Sequence, residues 1–420
     1  MRLLNYKAKN IRLIWRMAGV AVMTGLFSTL IAGALKVLTE HYEHRFYEYV
    51  RENKAVIFIL PLGAFVSILW LKRYLFSNKP NLGIREILDG IRRKNHSLAS
   101  YKIPMHFFNG FLTVISGGST GIEVSTVVAS ASVGAVSCSR QSILRKYKTE
   151  MVCAGVAAGL TALFNAPVAG LLFALEIFMK RISGIGLFCI LIAITTAFFM
   201  NHYFFETVLF HFQVSQWNSW ALPYFILLGF LSGLHAVYLT KSVLFFKKLS
   251  GLFRKNYQRF LFFSMLISLA VFFLPALYGD GYIAIDHVAS YTLIPGTAFL
   301  ITIVAILLLK PLITAATLGA GGDGGVFAPS LFLGAFLGLL VAYILNRYFH
   351  VEVIMVNFIV IGMAAVLSGS IHAPFTAIFL VCAIVGNYNL FIPILLACLV
   401  ARVTSGFLYP YTVYTYSSAK

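Results

Sequence analysis

One carboxylate stands where it could do chemistry, in the stretch SGGSTGIEVSTVVASASVGAV from Ser116 to Val136. Glu123 lies there between a glycine-rich turn and a long run of small uncharged residues. The first backbone amides of a helix lack partners and carry the positive end of the helix dipole. An ionised Glu123 can occupy such an anion-binding position, and protonation or a competing anion would displace it. The pattern predicts a gate and a proton carrier, with a helix-capping glutamate as the alternative.

A second glycine-rich turn occurs in GGDGGVFAPSLFLGAFLG, from Gly321 to Gly338. Glycine-rich turns that lead into helices bind anions through their free backbone amides. Val326 and Phe327 are therefore candidate amide donors, and the Phe327 ring can shield the site from water. The alternative is a glycine-rich surface on which helices pack closely.

Three more ionisable residues occur near these turns or inside apolar segments. Glu176 and Glu123 are the two acidic residues that we predict to lie deep in apolar context, where a carboxylate is costly and is a functional candidate. Lys310 either focuses anions toward a pathway or extends its amine to the membrane surface. Asp323 is unfavourable beside an anion, and the sequence offers no account of it.

The elements that must position these residues belong to a membrane protein. Of the 420 residues, 60% are hydrophobic and 11% are charged, which excludes water-soluble domains of ordinary size. The 33 basic residues outnumber the 14 acidic ones, but no basic module stands apart from the apolar segments, so nucleic-acid binding is not indicated. Arg2 to Arg16 carry only positive charges, so the positive-inside rule predicts a cytoplasmic amino terminus.

Long apolar runs predict the helices. The first run, Ala18 to Leu35, precedes a predicted acidic loop, Glu40 to Lys54. Many other apolar runs are too short or too glycine-rich to cross a membrane alone, as in transporters with broken helices. The other long runs are Ala55 to Leu71, Leu187 to Met200, Ala221 to Tyr238, Phe260 to Leu277, Phe299 to Leu309, Gly325 to Leu345, Val353 to Val366 and Phe391 to Val400. Basic clusters that predict cytoplasmic turns are Lys72 and Arg73, Arg92 to Lys94, Arg140 to Lys148, Lys180 and Arg181, and Lys241 to Arg259.

An internal repeat relates the two halves of the chain. The stretch GVAAGLTALFNAPVAGLLFAL from Gly155 resembles GMAAVLSGSIHAPFTAIFLVC from Gly362, at an offset of 362 − 155 = 207 residues. The same offset places the glycine pair at 117–118 on the pair at 324–325. Since transporters build their binding sites where such repeats meet, the repeat predicts that the chemistry lies near the two turns.

Two functional candidates differ between the halves. Glu123 matches Ser330, so only one half carries the carboxylate. His372 matches Asn165, which favours a hydrogen bond at a helix start over metal ligation, since no second ligand follows at a suitable spacing.

These residues resemble the CLC family of chloride channels and transporters, over nearly the whole chain from about residue 15 to 416. The stretch KPLITAATLGAGGDGGVFAPSLFLGAFLG contains the GxFxP motif of that family, from Gly325 to Pro329. The stretch AAGLTALFNAPVAGLLFALE is a second long match. GIEVS, with Gly121 and Ile122, stands where the family has GREGP. The resemblance makes Glu123 similar to the external gating glutamate.

A third motif departs from the family pattern. NLGIREI, from Asn81 to Ile87, stands where the family has GSGIPEI. The resemblance implies that Gly83 and Ile84 contribute to the central anion site, whereas Leu82 replaces a serine whose hydroxyl contacts the anion. Leucine cannot donate that hydrogen bond, so we expect altered anion selectivity. Arg85 replaces a proline, and we expect its side chain to extend toward the membrane surface.

The resemblance also concerns proton coupling and the pore. Glu176 is similar to the first of two consecutive glutamates in many exchangers of the family, and Ile177 stands at the second position, which transfers protons there. An alkyl side chain carries no proton, so Ile177 favours a channel-like mechanism. The pore tyrosine of the family corresponds to Tyr414 in YPYTVYTYSS, with Tyr411 as the alternative.

The sequence thus predicts an all-α polytopic membrane protein with a CLC-like fold of two inverted-topology repeats with broken and re-entrant helices. Residues 1–14 form a cytoplasmic segment, and residues 15–416 form the transmembrane domain. Its repeat halves are about residues 15–207 and 215–405, and residues 417–420 are a tail. The resemblance alone implies a homodimer in the bilayer of the cell (inner) membrane.

The predicted function is transport of chloride or a similar small anion, gated by Glu123 and channel-like or weakly proton-coupled. A proton-coupled antiporter is the alternative. No cofactor or metal site is indicated, since the five cysteines show no CxxC spacing. The sequence has no HExxH or GxSxG constellation, which argues against an intramembrane enzyme. A non-transporting scaffold would leave the paired glycine turns and Glu123 without a role.

Overall fold

The polypeptide is almost entirely helical wherever it is described. The computed structural model describes residues 2–416 apart from 94–97, 140–141, 180–182, 206–208, 211, 213, 215 and 289–295. Sixteen α-helices occur in that part of the chain. They are α1 (Arg2–Glu52), α2 (Leu60–Trp70), α3 (Ile84–Arg93), α4 (Lys102–Ile115), α5 (Glu123–Ser139), α6 (Lys148–Phe164), α7 (Pro167–Phe173), α8 (Gly184–Phe204), α9 (Leu222–Ser250), α10 (Asn256–Phe273), α11 (Tyr282–Val288), α12 (Thr297–Ala320), α13 (Phe327–Tyr348), α14 (Met355–Ile371), α15 (Pro374–Val385) and α16 (Phe391–Leu408).

Eight helical segments of the described chain are long and apolar enough to cross a membrane. They are Ile11–Glu52, Lys54–Leu75, Gly184–Phe204, Ser219–Ser250, Asn256–Phe273, Thr297–Ala320, Phe327–Tyr348 and Phe391–Leu408. Shorter apolar helices occur at Pro167–Phe178, Met355–Ile371 and Pro374–Val385. The prediction of an all-α polytopic membrane protein is therefore confirmed. Four residues of the predicted cytoplasmic turns, Lys94, Arg140, Lys180 and Arg181, lie outside the described residues, as does the predicted tail, 417–420.

The first helix corrects one prediction from the sequence. The predicted acidic loop from Glu40 to Lys54 is helical as far as Glu52, because α1 continues from the first apolar run without interruption. Residues 36–52 contain neither glycine nor proline, so nothing in this segment breaks the helix. As a consequence, Glu43 lies on a helix and is buried rather than in a solvated loop.

The chain folds as two compact units that interleave in sequence. Unit 1 contains Met1–Lys36, Leu82–Phe107 and Thr126–Glu206. Unit 2 contains Val37–Asn81, Phe108–Ser125 and Thr207–Lys420. These boundaries differ from those of the predicted repeat halves, since two segments from the first half of the sequence pack with the second half.

The repeat nevertheless appears at the level of individual helices. Helices α6 and α14 have 17 residues each, and their starts differ by 355 − 148 = 207. Each ends at a residue with a left-handed backbone, Asn165 with φ 53° and His372 with φ 58°, and the next helix begins with a proline two residues later. His372 ends α14 and lies two residues before the start of α15, so the helix-start hydrogen bond stays a prediction. The alanine before each proline, Ala166 or Ala373, lies outside the α region, because proline restricts the residue that precedes it.

Glycines allow very close helix packing inside each unit. In unit 2, a Cβ atom at Gly338 of α13 would lie 2.0 Å from the carbonyl oxygen of Phe358 in α14. A Cβ atom at Gly362 would lie 2.2 Å from the carbonyl oxygen of Gly334. In unit 1, a Cβ atom at Gly155, the repeat counterpart of Gly362, would lie 2.2 Å from the carbonyl oxygen of Ser130. Small residues thus let backbones approach as membrane helix interfaces require.

Gly338→Ala should destabilise the protein by about 1–3 kcal/mol, because the new methyl group meets a backbone carbonyl that can move only if α13 and α14 separate. Thermal unfolding of the detergent-solubilised protein measures the effect. Gly63→Ala in α2 is the matched control, since no atom lies within 4 Å of a Cβ atom there. Equal melting temperatures for the two variants would contradict this account of the interface.

Candidate functional site

Two glycine-rich turns of unit 2 touch each other. The amide of Gly121 donates to the carbonyl of Gly325 at 3.4 Å, and the two residues form an isolated antiparallel bridge. Gly324 has φ 142°, and a Cβ atom there would lie 2.6 Å from Oγ1 of Thr120. The sequence predicted each turn separately, but the contact between them comes from the fold. It places the start of α5 beside the start of α13.

Side-chain hydroxyl groups stabilise this contact between the two turns through hydrogen bonds. The amide of Asp323 donates to Thr113 Oγ1 at 3.1 Å, and Thr120 Oγ1 donates to the carbonyl of Asp323 at 3.3 Å. The amide of Ser119 donates to Thr317 Oγ1 at 3.1 Å. Asp323, which the sequence left unexplained, is buried and joins the two turns through its backbone. These bonds satisfy backbone groups that glycine-rich turns leave without helical partners.

Glu123 is the first residue of α5, and its side chain is buried. The hydroxyl of Tyr282 donates a hydrogen bond to its Oε1 atom. Its Oε2 atom has no geometric hydrogen-bond partner in the described part of the chain, although the carboxyl group faces the amide of Ala328 in the first turn of α13. A Cβ atom at Gly121 would lie 1.8 Å from Oε2, so only glycine leaves room for the carboxyl group.

The amino terminus of α13 presents an electropositive edge to this carboxyl group. The helix begins at Phe327, its first turn contains no acidic residue, and Val326 and Phe327 are both buried. Pro329 occupies the first turn, where the missing amide of proline costs no helical hydrogen bond. Unpaired amides at a helix start attract negative charge. The Glu123 carboxyl group therefore lies beside the positive end of the α13 dipole.

One of the two candidate tyrosines reaches the same helix start. The amide of Val326 donates to the hydroxyl oxygen of Tyr414 at 3.4 Å, and the Tyr414 side chain is buried. A Cβ atom at Gly325 would lie 2.8 Å from that oxygen. Tyr411 is 37% exposed. This contact favours Tyr414 over Tyr411 as the tyrosine of the site. Ile122 is buried next to Glu123 in the same turn.

The third predicted motif lies in unit 1. Gly83 has φ 60°, α3 begins at Ile84, and Ile84 is buried. Leu82 is 53% exposed, so the residue in the serine position does not fold into the core of its own unit. The Arg85 side chain lies 3.5 Å from Asp89, as an ion pair one helical turn apart.

The predicted proton route also lies in unit 1. Glu176 and Ile177 belong to a π-helical turn, Ala174–Phe178, that follows α7. Glu176 is exposed on this turn and Ile177 is half-buried. Apolar neighbours in sequence do not show which face of a helix a residue occupies, so the sequence did not predict that Glu176 lies on the surface of the chain.

Sequence reasoning missed a second polar cluster in unit 2. Glu43, Asp280 and Lys310 are all buried there, and Tyr282 lies two residues after Asp280. Lys310 donates to the carbonyls of Leu277 and Gly279 at 3.2 and 3.0 Å, so the alternative in which its amine extends to the membrane surface is wrong. The motif GDG, an aspartate between two glycines at 279–281, was the pattern that could have indicated this loop.

Comparison with protein families identifies one match. A model of the voltage-gated chloride channel family matches residues 62–406. The voltage-gated ClC-type chloride channel ClcB of Escherichia coli is 29% identical over 318 residues, which cover 74% of this chain and 74% of the relative.

Solved structures share the fold. The structure of a slow cyanobacterial Cl⁻/H⁺ antiporter is similar with a TM-score of 0.83 and 20% identity, over 96% of this chain and 97% of that chain. A CLC-type fluoride/proton antiporter is similar with a TM-score of 0.79 and 20% identity, over 95% and 96% of the two chains. The predicted CLC-like fold is thereby confirmed.

Tyr414→Phe should weaken chloride or bromide binding by about tenfold or more, because a hydrogen bond to a charged group contributes about 1.5–3 kcal/mol. Isothermal titration calorimetry of the detergent-solubilised protein measures the affinity. Tyr411→Phe is the matched control, since it removes the same group from an exposed position in the same segment. Equal affinities in the two variants would place the bound anion away from Tyr414.

Proposed function

Since the chain belongs to the voltage-gated chloride channel family, we propose that it carries chloride or a similar small anion along a path that Glu123 opens and closes. Family membership supports anion transport of the CLC type in an integral multi-pass membrane protein. The role of Glu123 rests on one observation, namely that its carboxyl group lies at the amino terminus of α13.

The gate follows from competition for one position. When Glu123 is ionised, its carboxylate interacts with the α13 amides and takes the place of a permeant anion. Protonation removes the negative charge of Glu123, and an arriving anion then binds at the electropositive start of α13 in its place. Tyr282 holds Oε1 in the closed position, since its hydroxyl donates to that atom.

We propose a channel-like or weakly proton-coupled driving mode. Ile177 cannot bind a proton, so the position that resembles the internal proton-transfer glutamate of the exchangers offers no relay. A proton-coupled antiporter is the alternative, and two observations favour keeping it. Glu123 itself can carry a proton, and two of the structural neighbours are antiporters.

The unit 1 motif carries the proposal on selectivity. Helix α3 begins at Ile84, directly after Gly83. The amides of these two residues are therefore the donors that this segment can offer to an anion. Leu82 supplies no hydroxyl, which reduces the number of hydrogen bonds to a strongly hydrated anion. We expect weaker discrimination among halides than a serine would give.

The remaining proposals concern placement and assembly. The amino terminus lies on the cytoplasmic side of the cell membrane, because the predicted first segment carries only positive charges. A homodimer with one anion pathway in each subunit is proposed from the family resemblance. Cross-linking in native membranes followed by mass measurement tests the dimer.

Glu123→Gln keeps the shape of the side chain and removes its charge, so the gate should no longer compete with anions. In liposomes with a chloride gradient, we expect chloride efflux several-fold faster than in the parent at neutral pH, with no pH dependence. Chloride and proton movement are recorded together with ion-selective electrodes. Glu352→Gln, at an exposed position, is the matched control.

The same recordings decide the driving mode. A channel-like path moves chloride without protons in the parent protein. Stoichiometric proton counterflow in the parent that is lost in Glu123→Gln would establish an antiporter and overturn the inference drawn from Ile177. Identical chloride flux in both proteins would contradict the gate itself.

Tyr282→Phe removes the donor that holds Oε1, so the closed state should lose about 1.5–3 kcal/mol and chloride efflux should rise about tenfold or more. The liposome assay measures it. Tyr278→Phe is the matched control, because the Tyr278 hydroxyl donates to the carbonyl of Ile115 rather than to the gate. An unchanged efflux in Tyr282→Phe would show that this hydrogen bond does not hold the gate.

A further inference from the structure

Two buried carboxyl groups meet in the loop before α11. The amide of Asp280 donates to Oε1 of Glu43 at 3.0 Å, and each carboxyl group lies close enough for its charge to act on its neighbours in this loop. Two ionised carboxylates in such proximity repel each other, and a proton on one of them removes that repulsion. Both residues are 3% exposed, so water screens the repulsion little.

The loop is shaped to hold these groups. Gly279 has φ 58°, and a Cβ atom there would lie 1.8 Å from Oε1 of Glu43. Gly281 has φ 94°, and a Cβ atom there would lie 2.4 Å from the Phe332 ring. Asp280 thus stands between two positions where only glycine fits, in a backbone that wraps around the Glu43 carboxyl group.

One cation partly balances the two acids. The Lys310 amine is fully buried, spends two of its three N–H donors on the carbonyls of Leu277 and Gly279, and lies 4.5 Å from the centre of the Phe332 ring. It is near enough for its charge to act on both Glu43 and Asp280. Two ionised carboxylates and one ammonium would leave one buried negative charge uncompensated, which is costly.

The other side chains that are seen to act on this pair in the described residues are acidic or phenolic. Glu40, on α1, is acidic and acts on both carboxyl groups. Tyr278 and Tyr282 are neutral phenols, and Glu123 is the acid at the start of α5. A proton is therefore the cation that these residues can take up.

We propose that Glu43 and Asp280 form a proton-binding site that holds one proton between them, and that its occupancy biases the Glu123 gate. The proton-binding site is argued from the geometry of the pair, whereas its effect on the gate rests on the proposed function. The proton comes from water and returns to water, and each uptake removes one negative charge from the pair without any redox step.

Tyr282 connects this site to the gate. Its amide donates to Oδ1 of Asp280 at 2.9 Å, and its hydroxyl donates to Oε1 of Glu123. The charge of Asp280 also acts directly on Glu123. Loss of the shared proton adds a negative charge behind the gate and repels the ionised Glu123 from its closed position. Uptake of the proton removes that repulsion.

The local environment places this change near physiological pH. Burial raises the pKa of Asp280 to about 6, and the hydrogen bond from the Tyr282 amide partly offsets the increase. Because the pKa is raised, the proton is retained below about pH 6 and is lost as the pH rises through that value. An ordinary aspartate has a pKa of about 3.9 and would have lost its proton well before.

Infrared spectroscopy of the whole protein tests the site without any transport assay. In protein labelled with ¹³C at the aspartate carboxyl groups, we expect an isotope-shifted band of protonated acid that persists at about pH 5.5, where ordinary aspartates are ionised. Glu43→Gln should alter the midpoint of that band, and Asp280→Asn should remove the band. The control Glu48→Gln, on the exposed face of the same helix, should leave the band unchanged.

The proposal would be overturned if neither this sample nor one labelled at the glutamate carboxyl groups showed such a band that changes in Asp280→Asn or Glu43→Gln. The coupling is tested separately by chloride efflux from liposomes between about pH 5 and 8. Glu43→Gln should shift the pH profile and Glu48→Gln should not. A band with no chloride flux at all would refute the proposed function and leave the proton site standing. Flux gated by Glu123 with the same pH profile in both variants would refute the coupling.

Discussion

The structure depends on burying the Glu123 carboxyl group against the amino terminus of α13. A carboxylate away from water is costly unless donors meet it. Here the hydroxyl of Tyr282 donates to Oε1, and the carboxyl group faces the Ala328 amide in the first turn of α13. That arrangement requires two glycine-rich turns in contact, because a side chain at Gly121 would occupy the space of the carboxyl group. In the proposed function, a mobile anion takes the place of the Glu123 carboxyl group at the same donors.

Irregular backbone inside a membrane protein must satisfy its own polar groups, because lipid offers no hydrogen bonds. The two turns meet this demand through one another and through hydroxyl groups, such as Thr317 Oγ1, which accepts from the Ser119 amide at 3.1 Å. The loop before α11 meets it in another way, since Lys310 caps two of its carbonyls and the Asp280 amide binds Glu43. Both solutions bring ionisable side chains to one part of unit 2, and Tyr282 hydrogen-bonds to both.

Much of the fold and part of the site could be predicted from local patterns. Long apolar runs indicated the membrane class, and the offset of 207 residues indicated helices that do recur as α6 and α14. Glu123 was identified because a carboxylate beside a glycine turn stands out in an apolar sequence. These features can be predicted because composition and spacing along the chain determine which segments avoid water and where a helix can begin.

Tertiary structure alone decided the partners of these residues. Tyr282 is 159 residues from Glu123, and Asp280 is 237 residues from Glu43. It also buried Lys310 and exposed Glu176, against what the sequence suggested. Hydropathy along a chain averages over all faces of a helix. It cannot tell which face a charged residue occupies or which distant loop will cover it, and those two facts set whether a buried charge is satisfied.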